Sequence, residues 1–160
     1  MAAAPETGHS ESRSIVITRV IDAPRELVFK AWTTAEHLAH WWGPDGFTTT
    51  TEAFSFKAKG EWRFVMHGPD GRDYPNRIIF ESIQPPARIV YNHSGDADSV
   101  PVRFHATVTL EDESGKTRLT WNMVFESEAE RDRIARDFDA VEGGRQTAAR
   151  LDAYVAREFL

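Results

Sequence analysis

The sequence predicts an α+β domain in which a curved antiparallel sheet of about six to seven strands wraps on a long C-terminal helix. Three observations predict this class. From about residue 46 the apolar residues recur at every second position through several short segments. Turn-forming residues separate those segments by short links, so sequential strands should pair. The last part of the chain has helical spacing.

The first element is a β-branched strand, Ser14–Ile21, and Asp22–Pro24 ends it. A short helix is predicted over Arg25–Trp32, where the apolar residues share one face. Thr33–Glu36 has the S/T-x-x-E spacing of a capping box, which predicts a second short helix. Glycine and proline in Trp41–Pro44 should stop it.

The meander that follows has one apolar face, as expected of an antiparallel sheet covered on one side. Turns are predicted at Gly68–Gly71, Pro85-Pro86, Ser94–Ser99 and Glu113–Gly115. The alternating apolar positions are Phe54 and Phe56; Trp62, Phe64 and Met66; Ile78 and Phe80; Ile89 and Tyr91; Val102, Phe104, Ala106, Val108 and Leu110; and Leu119, Trp121, Met123 and Phe125.

The terminal helical region begins at a second capping box, Ser127–Glu130. Gly143-Gly144 predicts a break or kink within it. Beyond the glycines, Ala148, Leu151 and Val155 continue to Phe159 as an apolar stripe at helical spacing. Laying this helix across the sheet is the simplest way to bury both apolar faces.

Composition excludes several classes of protein. The 160 residues carry a net charge of -6 without a block of Lys or Arg, so neither nucleic acid nor an anionic membrane surface is an expected partner. No apolar run is long enough to span a membrane. The absence of cysteine removes disulfide, thiolate and iron–sulfur chemistry and is compatible with the cytoplasm. Residues 1–13 are expected to form a disordered tail before a single domain over residues 14–160.

At this point the chain resembles the START/birch-pollen-allergen superfamily, and within it the branch named after the C-terminal domain of the activator of heat-shock protein 90 ATPase. The resemblance covers about residues 14–160, and one departure is Lys59-Gly60, where many members have two glycines. The carriers are Arg19–Pro24, Val28–Trp32, His37-Leu38, Trp41–Pro44, Gly60–Phe64, His67–Gly71, Phe80–Ile83, Gly115–Thr120 and Gly143-Gly144 before Leu151 and Tyr154.

The resemblance implies the helix-grip fold. Members of the superfamily bind lipids, sterols, hormones or polyketides, and some are cyclases or aromatases. The eukaryotic co-chaperone of the branch has a separate N-terminal domain for which these 160 residues have no room. Chaperone activation is therefore not expected to carry over.

Large side chains on the inner face of the sheet are the candidate ligand-binding residues. One sheet and one helix should not close over so many rings without leaving a concavity. Trp41–Pro44 would form a lid over it or anchor the short helices, and Tyr74 and Asn76 would be polar anchors at its mouth or caps of the sheet edge. The predicted ligand-binding residues are Trp42, Trp62, Phe64, Met66, Tyr74, Phe80, Tyr91, His93, Phe104, Trp121 and Met123.

The histidines supply the remaining candidate chemistry. His37 and His40 could share a helix face, but without a third ligand nearby no metal site is expected. Strand parity points His93 inward and His105 towards solvent. An inward histidine is either a hydrogen-bonded wall residue or an acid–base catalyst. No cofactor motif is present, and no catalytic residue is assigned.

Three functions remain open on this reading. The leading hypothesis is a protein that binds a small apolar or amphipathic molecule between sheet and helix. A cyclase- or hydrolase-like enzyme would use polar cavity groups such as His93 or Tyr74. An interaction module, a chaperone partner or a homodimer, would expose a contiguous apolar patch.

Overall fold

Seven strands and four helices make up the part of the chain that the computed structural model describes, residues 12–95 and 103–160. The strands are β1 (Ser14–Ile21), β2 (Thr48–Phe54), β3 (Glu61–His67), β4 (Asp73–Gln84), β5 (Arg88–Gly95), β6 (Phe104–Glu113) and β7 (Lys116–Phe125). The helices are α1 (Arg25–Lys30), α2 (Ala35–Leu38), α3 (Glu128–Asp137) and α4 (Ala140–Phe159). The predicted tail up to residue 11, the Ser94–Ser99 turn from residue 96 and Val102 lie outside the described residues.

All seven strands form one antiparallel sheet in the order β1-β7-β6-β5-β4-β3-β2. From β2 to β7 each strand pairs with its neighbour in sequence, as short links require. The first strand departs from this rule, because β1 lies beside β7 with Ile17 opposite Trp121. The N-terminal strand therefore closes the edge of the meander next to the helical region.

The helices cover one face of the sheet. Residues of α4 that point to the sheet, such as Leu151 and Val155, are fully buried, and α4 lies against β1 and α1. Strand residues of the same face form the core with them, whereas Val16 and Val20 on the other face of β1 are exposed. The helix-grip prediction is confirmed. None of the described helices is both long and apolar enough to cross a lipid bilayer.

The second short helix is capped one residue later than predicted. Its N-cap is Thr34, whose side chain accepts a hydrogen bond from the backbone N–H of His37. Thr33 instead donates its hydroxyl to the carbonyl of Lys30 at the end of α1. Thr33 thus caps the end of α1, and Thr34 caps the start of α2. At α3 the predicted cap is confirmed, since Ser127 accepts from the N–H of Glu130.

The predicted break at Gly143-Gly144 is wrong. The helix α4 runs through both glycines, and the chain breaks before it at Asp139, which has a left-handed backbone conformation. Gly144 serves close packing, because a Cβ there would lie 2.8 Å from Cγ1 of Ile17 on β1. A larger residue would push α4 away from the sheet.

Lys59 has a φ of 68° in the link between β2 and β3. That conformation costs a residue with a Cβ about 1–2 kcal/mol, whereas glycine loses about 0.5–1 kcal/mol in chain entropy. Lys59→Gly is therefore expected to raise the free energy of unfolding by about 0.5 kcal/mol in urea titrations. Lys57→Gly, in the same link and without a positive φ, is the control and should lower it. Equal losses in both variants would contradict this account.

Candidate functional site

Ten of the eleven predicted ligand-binding residues lie on strands, and the strand register brings them to the same face of the sheet. Met66 lies opposite Tyr74, and Phe80 lies opposite Tyr91. The register between β5 and β6 places His93 opposite Phe104. Trp42, the eleventh, follows α2 and packs its ring onto the same face, with its centroid 4.8 Å from that of Trp62. Period-two alternation therefore identified the concave face correctly.

The eleven residues divide into two groups by burial. Six are closed off from solvent, namely Trp42, Trp62, Phe64, Phe80, Tyr91 and Trp121. Four are half-buried, namely Met66, Tyr74, Phe104 and Met123. His93 stands between the two groups with 9% of its surface exposed, and its inward direction confirms the parity argument.

The closed group is built around the tryptophan cluster, which comprises Trp32, Trp41, Trp42, Trp62 and Trp121. The ring centroid of Trp42 lies between 4.8 and 5.6 Å from those of the other four indoles. Trp41 and Trp42 thus anchor the short helices to the sheet, in line with the second of the two roles considered for them. Around Trp42 the rings contact one another, so ring bulk alone does not indicate a pocket there.

The polar tips of the tryptophan cluster are unequally satisfied. Trp41 donates its indole N–H to the carbonyl of Ala31, and Trp62 donates to the hydroxyl of Thr51 at 3.0 Å. The indole N–H of Trp32 is buried without an acceptor. A buried N–H without a hydrogen-bond partner lowers the free energy of unfolding.

The four half-buried residues lie at one end of the concave face together with the buried His93 and with Asn76, and we call this region the open end. It comprises Met66, Tyr74, Asn76, His93, Phe104 and Met123. The ring of His93 stacks on Phe104 with centroids 4.6 Å apart. Asn76 donates its side-chain amide to the carbonyl of Tyr74 at 2.8 Å, so its amide oxygen stays available. Apolar surface and a few polar groups therefore meet at this end, as in small-molecule sites.

A depression in the protein surface adjoins the open end. This depression of about 580 Å³ is wide open to solvent and lies at the ends of β5, β6 and β7. Its lining includes Phe104 and Phe125, outer-face residues such as His105 and Val124, and the charged residues Arg13, Arg103 and Glu126. On the inner face, Ala106 lies between Tyr91 and Met123 in the strand register. Its side chain is the smallest of the three and is fully buried. Ala106 was not singled out from the sequence, because a buried alanine in a strand gives no functional signal.

The loop over residues 43–47 borders the open end. The ring of Phe47 lies 5.9 Å from that of Tyr74, and Gly43 lies so close to Met66 that a Cβ would be 3.0 Å from its Cε. Arg150 of α4 holds this loop by donating to backbone carbonyls, of which Gly43 at 2.7 Å is the nearest. The other carbonyls are those of His40, Trp42, Pro44 and Phe47.

Arg150 escaped prediction because it adjoins the apolar stripe of its helix and resembles any surface arginine in sequence. Partial burial lowers the pKa of its guanidinium, although Asp45 opposes this effect. The guanidinium nevertheless stays charged, because arginine starts from a very high pKa. A fixed cation therefore links α4 to the border of the open end.

His37, His40 and His105 do not join the site. His105 is exposed and pairs with Glu81 at 2.8 Å on the outer face, as its parity predicted. His37 lies 2.8 Å from the hydroxyl of Tyr154 on α4, and His40 stacks on the same ring. Within residues 12–95 and 103–160 no three metal-ligating side chains are grouped so as to hold an ion.

Comparison with known proteins identifies a matching family model and solved structures that are similar to this chain. The family model described as Activator of Hsp90 ATPase homolog 1-like protein matches residues 22–156. A protein from Arthrobacter aurescens is 30% identical, with 94% of this chain and 90% of that chain covered and a TM-score of 0.84. No curated protein matches the sequence.

Two further solved structures share the fold at lower identity. Protein Ms6760 from Mycobacterium smegmatis is 21% identical, with a TM-score of 0.82 over 92% of this chain and 94% of that chain. Protein NE0264 from Nitrosomonas europaea is 21% identical, with a TM-score of 0.79 over 92% of this chain and 97% of that chain. At such identities the likeness concerns the fold alone.

Proposed function

The chain belongs to the family of activator of Hsp90 ATPase homolog 1-like proteins, and from this premise and the geometry of the open end we propose that it binds a small apolar or amphipathic molecule. The ligand would lie between the sheet and α4. The observation that carries the proposal is that inner-face residues stay half-buried at one end of an otherwise closed core. A bound molecule would cover that apolar surface.

The chemistry of the open end supports an amphipathic ligand. Phe104 and Met123 offer apolar contact to the body of the molecule, and burying them further is favourable by about 25 cal/mol per Å². Tyr74 and Asn76 bring polar atoms to the same end. Arg13, Arg103 and Glu126 line the adjacent depression, so a polar head would meet charged groups of both signs near its rim.

Phe104→Ala is expected to weaken binding about fivefold to tenfold, because the stacked ring on the ligand side is lost. The measurement is a thermal-shift screen of the wild-type protein with lipids, sterols and aromatic compounds, followed by titration of the compounds that shift the melting temperature. Phe138→Ala is the matched control, since Phe138 is 45% exposed and lies outside the open end. No shift with any compound, or equal affinities in both variants, would contradict the proposal.

An enzyme using the same site is a second candidate, and the inward direction of His93 favours it. His93 is buried and shares the inner face with Tyr91 two residues earlier on β5. The imidazole of His93 could exchange a proton with a bound molecule. Mass spectrometry of a compound after incubation with the protein separates the two candidates, because a binding protein returns it unchanged and an enzyme does not.

The chaperone-partner and homodimer alternatives have less support. The exposed large apolar residues in the described ranges are Val16, Val20, Phe138 and Leu160. Val16 and Val20 share the outer face of the edge strand β1, which is the surface that self-association would use. A homodimer and a cytoplasmic location both stay predictions.

A further inference from the structure

The hydroxyl of Tyr91 is a buried hydrogen-bond donor that has no acceptor within the described part of the chain. Tyr91 is 1% exposed, and its oxygen lies 3.0 Å from the indole nitrogen of Trp121. An indole N–H can only donate, so the phenol oxygen accepts this bond. The proton of the hydroxyl therefore remains free to donate to another atom. The indole N–H of Trp32, whose ring contacts that of Trp121, is a second buried donor without an acceptor.

The position of Tyr91 connects it with the open end. Its strand partner on β6 is Ala106, whose side chain is a single, fully buried methyl group. Its ring lies 6.3 Å from that of Phe104, which is half-buried and belongs to the open end. A molecule that enters over Phe104 would have to cross the buried methyl group of Ala106 to reach the hydroxyl.

The surroundings of Tyr91 determine which acceptor would be stable there. Its cross-strand partners Phe80 and Ala106, the ring of Phe104 and the donor Trp121 are uncharged, and His93 lies two residues further along β5. An anionic acceptor would be buried without a counter-charge, which is costly, whereas a neutral oxygen needs one donor only. Burial also raises the pKa of Tyr91, so the phenol keeps its proton throughout the physiological range.

The hydrogen bond from Trp121 should make Tyr91 a better donor. Donation into the phenol oxygen polarises its O–H bond, because successive hydrogen bonds reinforce one another in a medium of low dielectric constant. Trp121 then donates to Tyr91, and Tyr91 donates to the ligand oxygen.

We infer that Tyr91 binds the neutral carbonyl or ether oxygen of an apolar ligand by donating its hydroxyl proton to it. This inference rests on the proposed function and adds the chemical class of the ligand. The deep part of the molecule carries an uncharged oxygen, and any charged group lies outward near Arg13 and Arg103.

Acetophenone and ethylbenzene test the inference, because they have nearly the same shape and differ in one carbonyl oxygen. Their affinities are measured by NMR titration of the wild-type protein and of Tyr91→Phe. The preference for acetophenone over ethylbenzene is expected to fall about fivefold in Tyr91→Phe, the effect of one neutral hydrogen bond. The infrared carbonyl stretch of bound acetophenone should lie at lower frequency in the wild-type protein than in the variant.

Thr51→Val is the control for stability. It removes the acceptor of Trp62 as Tyr91→Phe removes that of Trp121, and it leaves the Tyr91 hydroxyl in place. It should keep the wild-type preference and the wild-type carbonyl frequency. If both compounds bind and the preference is unchanged in Tyr91→Phe, the inference is wrong while the proposed function stands. If neither compound binds the wild-type protein, both are contradicted.

Discussion

Replacing Arg150 with alanine is expected to lower the free energy of unfolding by about 3 kcal/mol, since the guanidinium donates charge-assisted hydrogen bonds to several backbone carbonyls. Its bonds to Gly43 and Pro44 measure 2.7 and 3.1 Å, and both carbonyls belong to the loop that borders the open end. Without Arg150 these carbonyls lose their partner, and the loop loses its link to α4. The change is measured by urea unfolding monitored by tryptophan fluorescence.

The same variant should weaken ligand binding at the open end. Phe47, which contacts Tyr74, lies at the end of the loop that Arg150 holds. Arg150→Lys keeps the charge, but an ammonium group lacks the planar set of N–H donors that reaches several carbonyls at once. This variant should therefore recover less than half of the lost stability. Arg145→Ala on the same helix is the matched control, because Arg145 is exposed and its ion pair with Glu142 is 3.7 Å long. A similar loss in Arg145→Ala would attribute the effect to the helix rather than to the loop.

The second large effect is expected from Trp42→Ala, which should cost about 4 kcal/mol of stability by opening a cavity within the core. The Trp42 side chain is 7% exposed, and its ring contacts the four other indoles and Phe64. Trp42→Phe retains part of this packing and should cost about half as much. Reversible thermal or urea unfolding measures both changes.

The graded series also tests the role of the tryptophan cluster. If Trp42 were a lid over a pocket rather than an anchor, its truncation would change ligand affinity and leave stability nearly intact. We expect the reverse order of effects, with a large loss of stability. A loss below about 1 kcal/mol in Trp42→Ala would contradict the anchoring role.

Much of the fold could be predicted from local patterns. In β6 and β7 the inward residues Val108 and Trp121 alternate with polar ones, and the register places the two directly opposite each other. Such alternation is reliable because a shift by one residue would turn every apolar side chain outward. The cap at Ser127 was equally local, since it depends on a spacing of three residues and one hydrogen bond.

The errors arose where the local pattern was ambiguous or the packing was distant. Thr33 and Thr34 both fit a cap, and only the backbone path decides which of them accepts from His37. The glycines at 143 and 144 suggested a break because glycine is a poor helix former. Their use is to let α4 approach Pro44 and Ile17, and this cannot be read from the helix alone.

The sequence predicted which face of the sheet carries the candidate site, but not which part of that face. Parity identified Phe104, Met123 and Tyr91 as inward, yet gave all inward residues equal weight. Burial separates them, since Trp62 is 1% exposed while Phe104 is half-buried. Arg150 and Ala106 had no sequence signal, because one acts on the carbonyls of a distant loop and the other by the smallness of its side chain.

The sequence by itself determined the elements, their pairing from β2 to β7 and the side of the sheet that faces the helices, because periodicity and short links are local properties of the chain. The tertiary structure decided that β1 closes on β7, that the indoles pack against one another, and that the inner face stays accessible at one end. It also left the Tyr91 hydroxyl with a proton to donate. These features depend on residues far apart in sequence, whose distances are set only when the sheet curves around α4.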